Sequence, residues 1–402
     1  MADNRKFFGF GKNVFIAGLV SFFMDASSEM IYPLVPLFLS NVLGINKSVI
    51  GLIEGVAEST ASLLKVFSGW FSDRIGNRKW LMATGYGISV LSRPIMALAA
   101  GWHHIMGSRF IDRFGKGVRG APRDAIIADS TDIAFLGRAF SFHRSMDTMG
   151  AVIGPAVAFL LLGLFSNNYR IVFWLSMIPG VVAVLLIIFF ITEKKSAPVA
   201  PSERPRLTFR HFDWRFKVFV LITSIFAIGN SSDMFLILKA QQTGVPIVAV
   251  PLLYLIFNLI YSISAIPAGI AADMFGKKRV ILLGFILFAV IYYGFAVASG
   301  TTEIWILFGL YGVFMGLTEG IQKAFLSTII PRDFKATAFG VYNTAVGVAM
   351  FPASMAGGWL WDHVSPAATF YFGAITAIIS AFLFIIFIAA IRKEDYCHVS
   401  SL

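Results

Sequence analysis

Only 14% of the 402 residues are charged, against 57% that are hydrophobic, and such a chain cannot cover itself with a water-soluble surface. A single cysteine, Cys397, makes no internal disulfide and has no metal-ligand neighbours, so a redox role is not expected. No Walker-type phosphate loop appears anywhere, which argues against ATP-driven work by this chain alone. Histidine is scarce too: six are present, and His103 and His104 sit together beside Trp102 in what reads as a solvated outer loop. No Ser, His and carboxylate constellation and no metal-ligand cluster is legible, so an enzyme is the least expected class, and no metal or cofactor is expected. The first apolar run is too long for a cleavable signal peptide and lacks a small-residue cleavage site, so it reads as a membrane span.

Apolar runs are what the chain has in abundance. A bilayer core of roughly 30 Å takes about 20 apolar residues per helix. The runs fall near 14–39, 48–71, 79–100, 105–128, 139–164, 169–191, 215–241, 246–271, 279–299, 303–329, 336–361 and 366–391. Twelve spans of this length define an all-α membrane protein; barrel strands would be shorter and alternating. Arg5, Lys6 and Lys12, then Arg74, Arg78 and Lys79, then Lys194 through Lys217, Lys277 to Arg279, Arg332, Lys335, Arg392 and Lys393 all fall on one side of this parse. The opposite loops carry little beyond Lys47 and Arg170. By the positive-inside rule both termini are cytoplasmic. The net charge of +11 is therefore topology, and nucleic acid is not an expected partner. Residues 192–214, with Pro198, Pro201 and Pro205 among charged residues and serine, read as a cytoplasmic linker between bundles at 1–191 and 215–402.

The chain is one unit used twice. Gly69, Asp73, Gly76, Arg78 and Lys79 at the end of the second span return as Gly269, Asp273, Gly276, Lys278 and Arg279, each 200 residues on. A second repeat is Ser27-Ser28-Glu29-Met30 against Ser231-Ser232-Asp233-Met234. The loop Gly69-x-x-x-Asp73-Arg74-x-Gly76-x-Arg78-Lys79 resembles motif A of the major facilitator superfamily, and its partial copy, with Met274 where the arginine would stand, lies at the equivalent place. The resemblance covers essentially the whole chain. It implies two pseudo-symmetric six-helix bundles that rock about a central site, with Gly69, Asp73, Arg74, Gly76, Arg78 and Asp273 in gating. Asp73 at a helix end can hold a positive partner or another helix's N-terminus. Arg113-x-x-Lys116-Gly117-x-Arg119-Gly120-Ala121 is similar to motif B, where a buried arginine is associated with proton coupling; Lys116 replaces the usual glutamine. Gly150-x-x-x-Gly154-Pro155 is similar to the antiporter motif C, with Val157 and Ala158 in place of its trailing glycines. Its other reading is close packing and a bend. The pattern is closest to proton-coupled drug and metabolite antiporters.

Asp25, Glu29 and Asp233 fall near mid-span, where an ionised side chain costs a few kcal/mol without a partner or water. Asp25 and Glu29 are four apart on one helical face, so their charges repel and one is suited to carry a proton. Arg109, Arg113, Lys116, Arg119 and Arg123 form a stripe along the fourth span that cannot face lipid. Glu54, Glu58, Asp112, Asp124 and Asp147 are the acids available to it, and the two signs nearly balance, so most are expected in an internal network. The candidates for proton or cation coupling are Asp25, Glu29, Glu54, Glu58, Arg113 and Asp147. Those for substrate are Glu29, Lys116, Arg119, Arg123, Asp233, Glu319, Lys323 and Tyr311, with Tyr254, Tyr261, Phe314 and Tyr342 as further aromatic contacts or simple packing.

The expectation is a secondary transporter for a small organic compound, exporting it against protons. Unpaired bases would favour an organic anion, and unpaired acids a cationic amphiphile. Two alternatives stand beside it: a cation-coupled symporter, because Glu54-x-x-x-Glu58 looks like the acidic pair of sodium-coupled sugar symporters, and a non-transporting receptor or assembly protein with a transporter-like body. Small molecule, protons and lipid bilayer are the expected partners, in a monomer of the bacterial inner (plasma) membrane. A reporter that works only in the cytoplasm should be active when fused to either end of the chain; activity at one end alone would overturn the even number of spans.

Overall fold

The computed structural model describes residues 6–7, 10–75, 77–131, 136–193, 212–330 and 335–400, and side chains within 11–64, 77–131, 139–193, 212–330 and 338–391. Side-chain statements about Gly69, Asp73, Arg74, Gly76 and Cys397, and most of the 192–214 linker, therefore lie outside the described residues. Two-residue strands β1 (Lys6–Phe7) and β2 (Phe10–Gly11) pair antiparallel at the start. The rest is helical: α1 (Lys12–Ile31), α2 (Lys47–Ile75), α3 (Arg78–Ala97), α4 (Trp102–Asp129), α5 (Leu136–Leu164), α6 (Tyr169–Phe190), α7 (Trp214–Gly229 and Met234–Gln242), α8 (Val250–Phe275), α9 (Lys277–Val297), α10 (Thr301–Leu326), α11 (Lys335–His363) and α12 (Pro366–Ser400).

Capping side chains set several helix starts. Asn77 accepts from the Trp80 amide at 3.4 Å, Asn168 from the Arg170 and Ile171 amides at 3.1 and 3.3 Å, and Asp213 from Trp214 at 2.6 Å. Prolines set where α1 stops, because Pro33 and Pro36 cannot donate to the ladder. The expected single span to residue 39 is instead α1 followed by a 3-10 turn at Tyr32–Leu34, a short helix at Val35–Leu37 and a π turn at Phe38–Val42.

The seventh span departs further from its expected single run, since α7 is interrupted at 230–233. No proline does this. The Asn230 amide makes the last helical bond, to the Phe226 carbonyl at 3.0 Å. Beyond it side chains compete with the ladder: the Ser232 hydroxyl accepts from the Met234 amide at 3.2 Å, and the Tyr292 hydroxyl lies 3.3 Å from Asn230 Oδ1 and 3.4 Å from the Ser231 carbonyl.

Eight helices or helix pairs among the described residues are long and apolar enough to cross a membrane, which supports a multi-pass membrane protein. α3 and α4 are long but carry Arg93, Arg109, Asp112 and Arg113, all buried. Large apolar side chains face outward instead, among them Leu164 at 75%, Phe189 at 70% and Ile266 at 73% exposure, as expected where lipid rather than water is the solvent.

The chain forms two compact units, residues 1–45, 56–202 and 245–258 in one and 46–55, 203–244 and 259–402 in the other. Each is mostly one half of the chain and takes in a short segment of the other half. In the first, Asn258 donates to the Ala151 carbonyl at 3.3 Å and Tyr254 packs on Tyr32 at 5.3 Å between centroids. In the second, Asp362 at the end of α11 caps the start of α2, accepting from the Lys47 and Ser48 amides at 3.2 and 2.7 Å.

Inside each unit the same pairs pack. α1 lies against α5 and α6, and α3 against α4 and α6; six helices later α7 lies against α11 and α12, and α9 against α10 and α12. The repeat read from two loop motifs is thus a repeat of packing.

Glycines let α1 and α5 approach. A Cβ on Gly150 would lie 2.5 Å from the Phe22 carbonyl oxygen and 3.1 Å from the Asp25 Cβ; one on Gly154 would lie 2.7 Å from the Ala26 carbonyl oxygen and 3.0 Å from the Glu29 Cβ. Both neighbours are backbone of a packed helix and cannot move aside cheaply. Gly154→Ala should therefore lower thermal stability by about 1–3 kcal/mol. Gly163→Ala on the same helix, with open space around it, should leave the melting temperature unchanged or slightly raised.

Candidate functional site

Arg93 sits in the middle of the first unit at 1% exposure, so its charge has to be met inside the protein. Its guanidinium donates to Asp112 Oδ1 at 3.1 Å, Ser92 Oγ at 2.8 Å, Ser28 Oγ at 2.9 Å and Ser27 Oγ at 3.4 Å. One side chain of α3 thereby ties α1 to α4. The other Asp112 oxygen lies 3.5 Å from Arg113 Nη1, and Arg113 reaches on to Glu58 of α2 at 2.5 Å. Arg93, Asp112, Arg113 and Glu58 make a neutral chain across three helices, α3, α4 and α2.

The basic residues of α4 do not share one environment, as a single stripe would require. Arg109 and Arg119 are buried at 3% and 5%, with guanidinium carbons 5.4 Å and 4.3 Å over the rings of Tyr32 and Tyr86. Arg119 Nη1 is buried without a hydrogen-bond partner among the described residues. Arg123 pairs with the adjacent Asp124 at 2.9 Å, and Lys116 is exposed. Pairing has thus taken Arg113 and Arg123 out of the set of free cations.

Asp25 and Glu29 are half-buried on the face of α1 that seats on Gly150 and Gly154. The charges facing Asp25 are Asp147 from α5, Lys116 and Arg119 from α4, and Glu29 from its own helix. Asp147 has one oxygen, Oδ1, buried with no hydrogen-bond partner among the described residues. Its other oxygen is 3.8 Å from His143 Nδ1 and 4.0 Å from Arg144, and His143 Nε2 is 2.7 Å from Ser21 Oγ. A Ser, His and carboxylate set therefore exists, contrary to the sequence expectation. Its members lie 122 residues apart in chain order, Ser21 against His143, and only the i, i+4 spacing of His143 and Asp147 marks it in the sequence.

Beyond the acids, at the end of α3, the Arg78 and Lys79 amides donate to the two oxygens of Glu193 at 2.6 and 3.0 Å. The Arg78 guanidinium pairs with Asp129. The motif-side residue Arg78 thus fastens α3 to the ends of α4 and α6.

In the second unit tyrosines take over where the first uses charge. Asp233, at the break in α7, accepts from Tyr311 of α10 at 2.7 Å, and Tyr292 of α9 serves Asn230 and Ser231. Glu319 is met by Tyr261 and by Lys323 at 3.4 Å, and Gln322 accepts from Tyr342 at 2.7 Å. Asp273 is exposed and lies 3.6 Å from Lys277. Glu54 is buried at 1%. Phe314 packs among Phe226, Phe288 and Tyr311, which is core rather than a free contact surface. His103 and His104 are exposed, their rings 4.3 Å apart. Sequence reasoning missed Ser21, Tyr86, Arg93 as a hub, His143 and Tyr292.

An internally duplicated bundle of apolar helices, with ionised groups held inside it, defines a polytopic membrane transporter body. The sequence profile of the Major Facilitator Superfamily matches residues 17–237 and 218–397. The MFS-type transporter MJ1317 of Methanocaldococcus jannaschii is 35% identical over 92% of this chain and 94% of its own length. A homologue of the multidrug resistance efflux pump PmrA, from Lactococcus lactis, is 25% identical over 96% of this chain and 95% of its own. The solved nucleoside transporter NupG superposes with a TM-score of 0.75 at 14% identity, covering 94% of this chain and 99% of that one. A peptide-bound POT family transporter gives 0.81 at 13% identity, covering 96% and 98%. The chain belongs to the Major Facilitator Superfamily and is a multi-pass secondary transporter.

Asp112→Asn keeps the shape at the hub but leaves Arg93 buried without an anion, and should cost about 3–5 kcal/mol in unfolding of the purified protein. Asp124→Asn, whose side chain is 49% exposed, should cost less than about 1 kcal/mol in the same assay. Equal losses would show that the hub pair is not what holds the first unit.

Proposed function

We propose that the chain is a proton-coupled exporter of a small organic compound, drug-like or metabolite, working by alternating access in the bacterial inner membrane as a monomer. Its two bundles, 1–191 and 215–402, would be joined by the 192–214 linker, with both termini cytoplasmic. One observation carries the reading: Asp25, one turn from Glu29 in a membrane helix, faces Asp147 as well as Lys116, Arg119 and Glu29. That cluster holds three carboxylates against two bases within mutual range, and repulsion among the acids favours keeping a proton there.

Protonation of Asp25 or Glu29 removes a negative charge opposite Arg119. The arginine and its neighbours Lys116 and Arg123 are then held less firmly, and the balance between the transporter's states shifts. Cargo that binds the deprotonated form shifts it back, because two ligands that favour opposite states are coupled through the same equilibrium. In the second half Asp233 with Tyr311, and Glu319 with Lys323, supply the polar contacts to cargo. Gly69, Asp73, Arg74, Gly76, Arg78 and Asp273 serve the gates. The homologue of a multidrug resistance efflux pump supports export of a drug-like compound.

Sodium coupling through Glu54 and Glu58 is less well supported, because Glu58 already holds Arg113 and an alkali cation would have to displace that guanidinium. A non-transporting receptor is argued against by the ionic chain through α2, α3 and α4, where apolar packing would hold a static body.

Proteoliposomes presented with a panel of lipophilic cations and anions separate these readings. Flux of at least one compound should follow an imposed pH gradient and fall about 10²-fold in Glu29→Gln and Asp25→Asn. Flux driven by a sodium gradient alone would sink the proton claim, and unchanged activity in both variants would point to the receptor reading.

A further inference from the structure

His143 is 4% exposed in a membrane-spanning helix, and neither the ionic chain through Arg93 nor the Asp25 cluster as described above uses it. Burying an imidazole that only fills space would leave both ring nitrogens to be satisfied at a cost, and an apolar residue would pack there more simply. Here both nitrogens are placed. Nε2 is 2.7 Å from the Ser21 hydroxyl, and Nδ1 is 3.8 Å from Asp147 Oδ2. The Ser21 hydroxyl can donate to Nε2, which puts the ring proton on Nδ1, facing the carboxylate; a shift of the ring by about 0.6–1 Å brings that pair to hydrogen-bond length. The Ser21 hydroxyl lies near the Asp147 carboxyl as well as Nε2, so the three groups are in mutual reach, and Asp147 Oδ1, buried with no hydrogen-bond partner among the described residues, retains a site for a proton.

Position gives this set a direction. Ser21 lies one helical turn before Asp25 on α1, and His143 one turn before Asp147 on α5. Gly150 and Gly154 press the two helices together at Asp25 and Glu29, so Ser21, His143 and Asp147 line the end of the same seam that is nearer the N-terminus. The charged groups facing His143 are Arg123 and Asp124 from α4 and Arg144 and Asp147 from its own helix; those facing Asp25 are Glu29, Lys116, Arg119 and Asp147. Asp147 is the one group common to both sets. A proton on Asp25 has one carboxylate step to Asp147 and one imidazole step beyond it.

We propose that Ser21, His143 and Asp147 form a proton relay through which Asp25 exchanges its proton with the side of the membrane that carries the N-terminus. On loading, the Ser21 hydroxyl hands its hydrogen to His143 Nε2 and takes another from the N-terminal side, the ring passes its Nδ1 proton to the Asp147 carboxylate, and Asp147 passes it to the Asp25 carboxylate; release runs the same steps in reverse, starting from the Nε2–H ring that loading leaves. One proton enters the seam on loading and one leaves on release; no other bond is made or broken. His143 here is a proton carrier acting between other groups, distinct from the cargo contacts and from the Arg93 hub.

This rests on the proton-coupled reading, and the experiment uses the proton itself as probe, so no cargo has to be known. Full-length protein in lipid vesicles is subjected to a rapid drop in pH while the carboxylic acid C=O stretch is followed by infrared spectroscopy. In the wild type the band should grow, and its growth should disappear in Asp25→Asn. His143→Ala should leave the final amplitude intact but slow its rise by about 10²-fold, the scale of a positioned proton-transfer group. Added imidazole should restore the rate, and His143→Gln should be slow without rescue, since no space is left for the added ring. A His143→Ala rate equal to the wild type overturns the relay, as does slowing that imidazole does not repair, which would make His143 a packing residue. A wild-type band that does not change with pH instead overturns the proton-coupled reading on which the relay rests.

Discussion

A guanidinium carried inside a membrane bundle has to be met by an anion and by acceptors for its remaining hydrogens, and Arg93 fixes the first half of this transporter for that reason. Asp112 supplies the charge, and Ser27, Ser28 and Ser92 supply the acceptors. Because these partners come from α1, α3 and α4, the helices cannot slide past one another without exposing the charge to an apolar surrounding. A second constraint is the close seat of α1 on α5 through Gly150 and Gly154, which sets Asp25 and Glu29 beside the helix that carries Asp147.

The two halves solve one packing problem with different chemistry. Their helices pair in the same way, yet where α1 offers Ser27 and Ser28 to Arg93, α7 offers Asn230 and the Ser231 carbonyl to Tyr292. Where α4 carries Asp112, α10 carries Tyr311, which donates to Asp233. A tyrosine hydroxyl satisfies a polar atom without adding a charge that must be balanced. The second half can then interrupt α7 and hold a half-buried acid at the break, while ionisable side chains concentrate in the first half.

Much of this was legible in the residues. Periodic apolar runs placed the helices to within a few residues, the Gly69 and Gly269 loops disclosed the duplication, and the near balance of acids and bases in the first half pointed to an internal network. What stayed hidden depends on contacts between distant segments. Arg93 reads as one cation among several until Asp112 and two serines are brought to it. The α7 break has no proline to announce it and follows from Tyr292 and Ser232 competing for backbone groups. Ser21 meets His143 only because two glycines let α1 and α5 approach, and such closeness is not written in the spacing of either partner. The basic stripe of α4 was visible as a face, but which of its members are neutralised depended on Asp124 and Glu58.

Titration in the first half is proposed to govern the cargo equilibrium, and thermal stability of the purified protein with a stabilising ligand, found from a panel of organic anions and cations, tests this at two pH values. The stabilisation should change with pH in the wild type, lose that pH dependence in Asp25→Asn and Glu29→Gln, and keep it in Asp233→Asn. Loss of the pH dependence in Asp233→Asn, with the two first-half variants behaving as wild type, would contradict the claim and move the coupling to the break in α7.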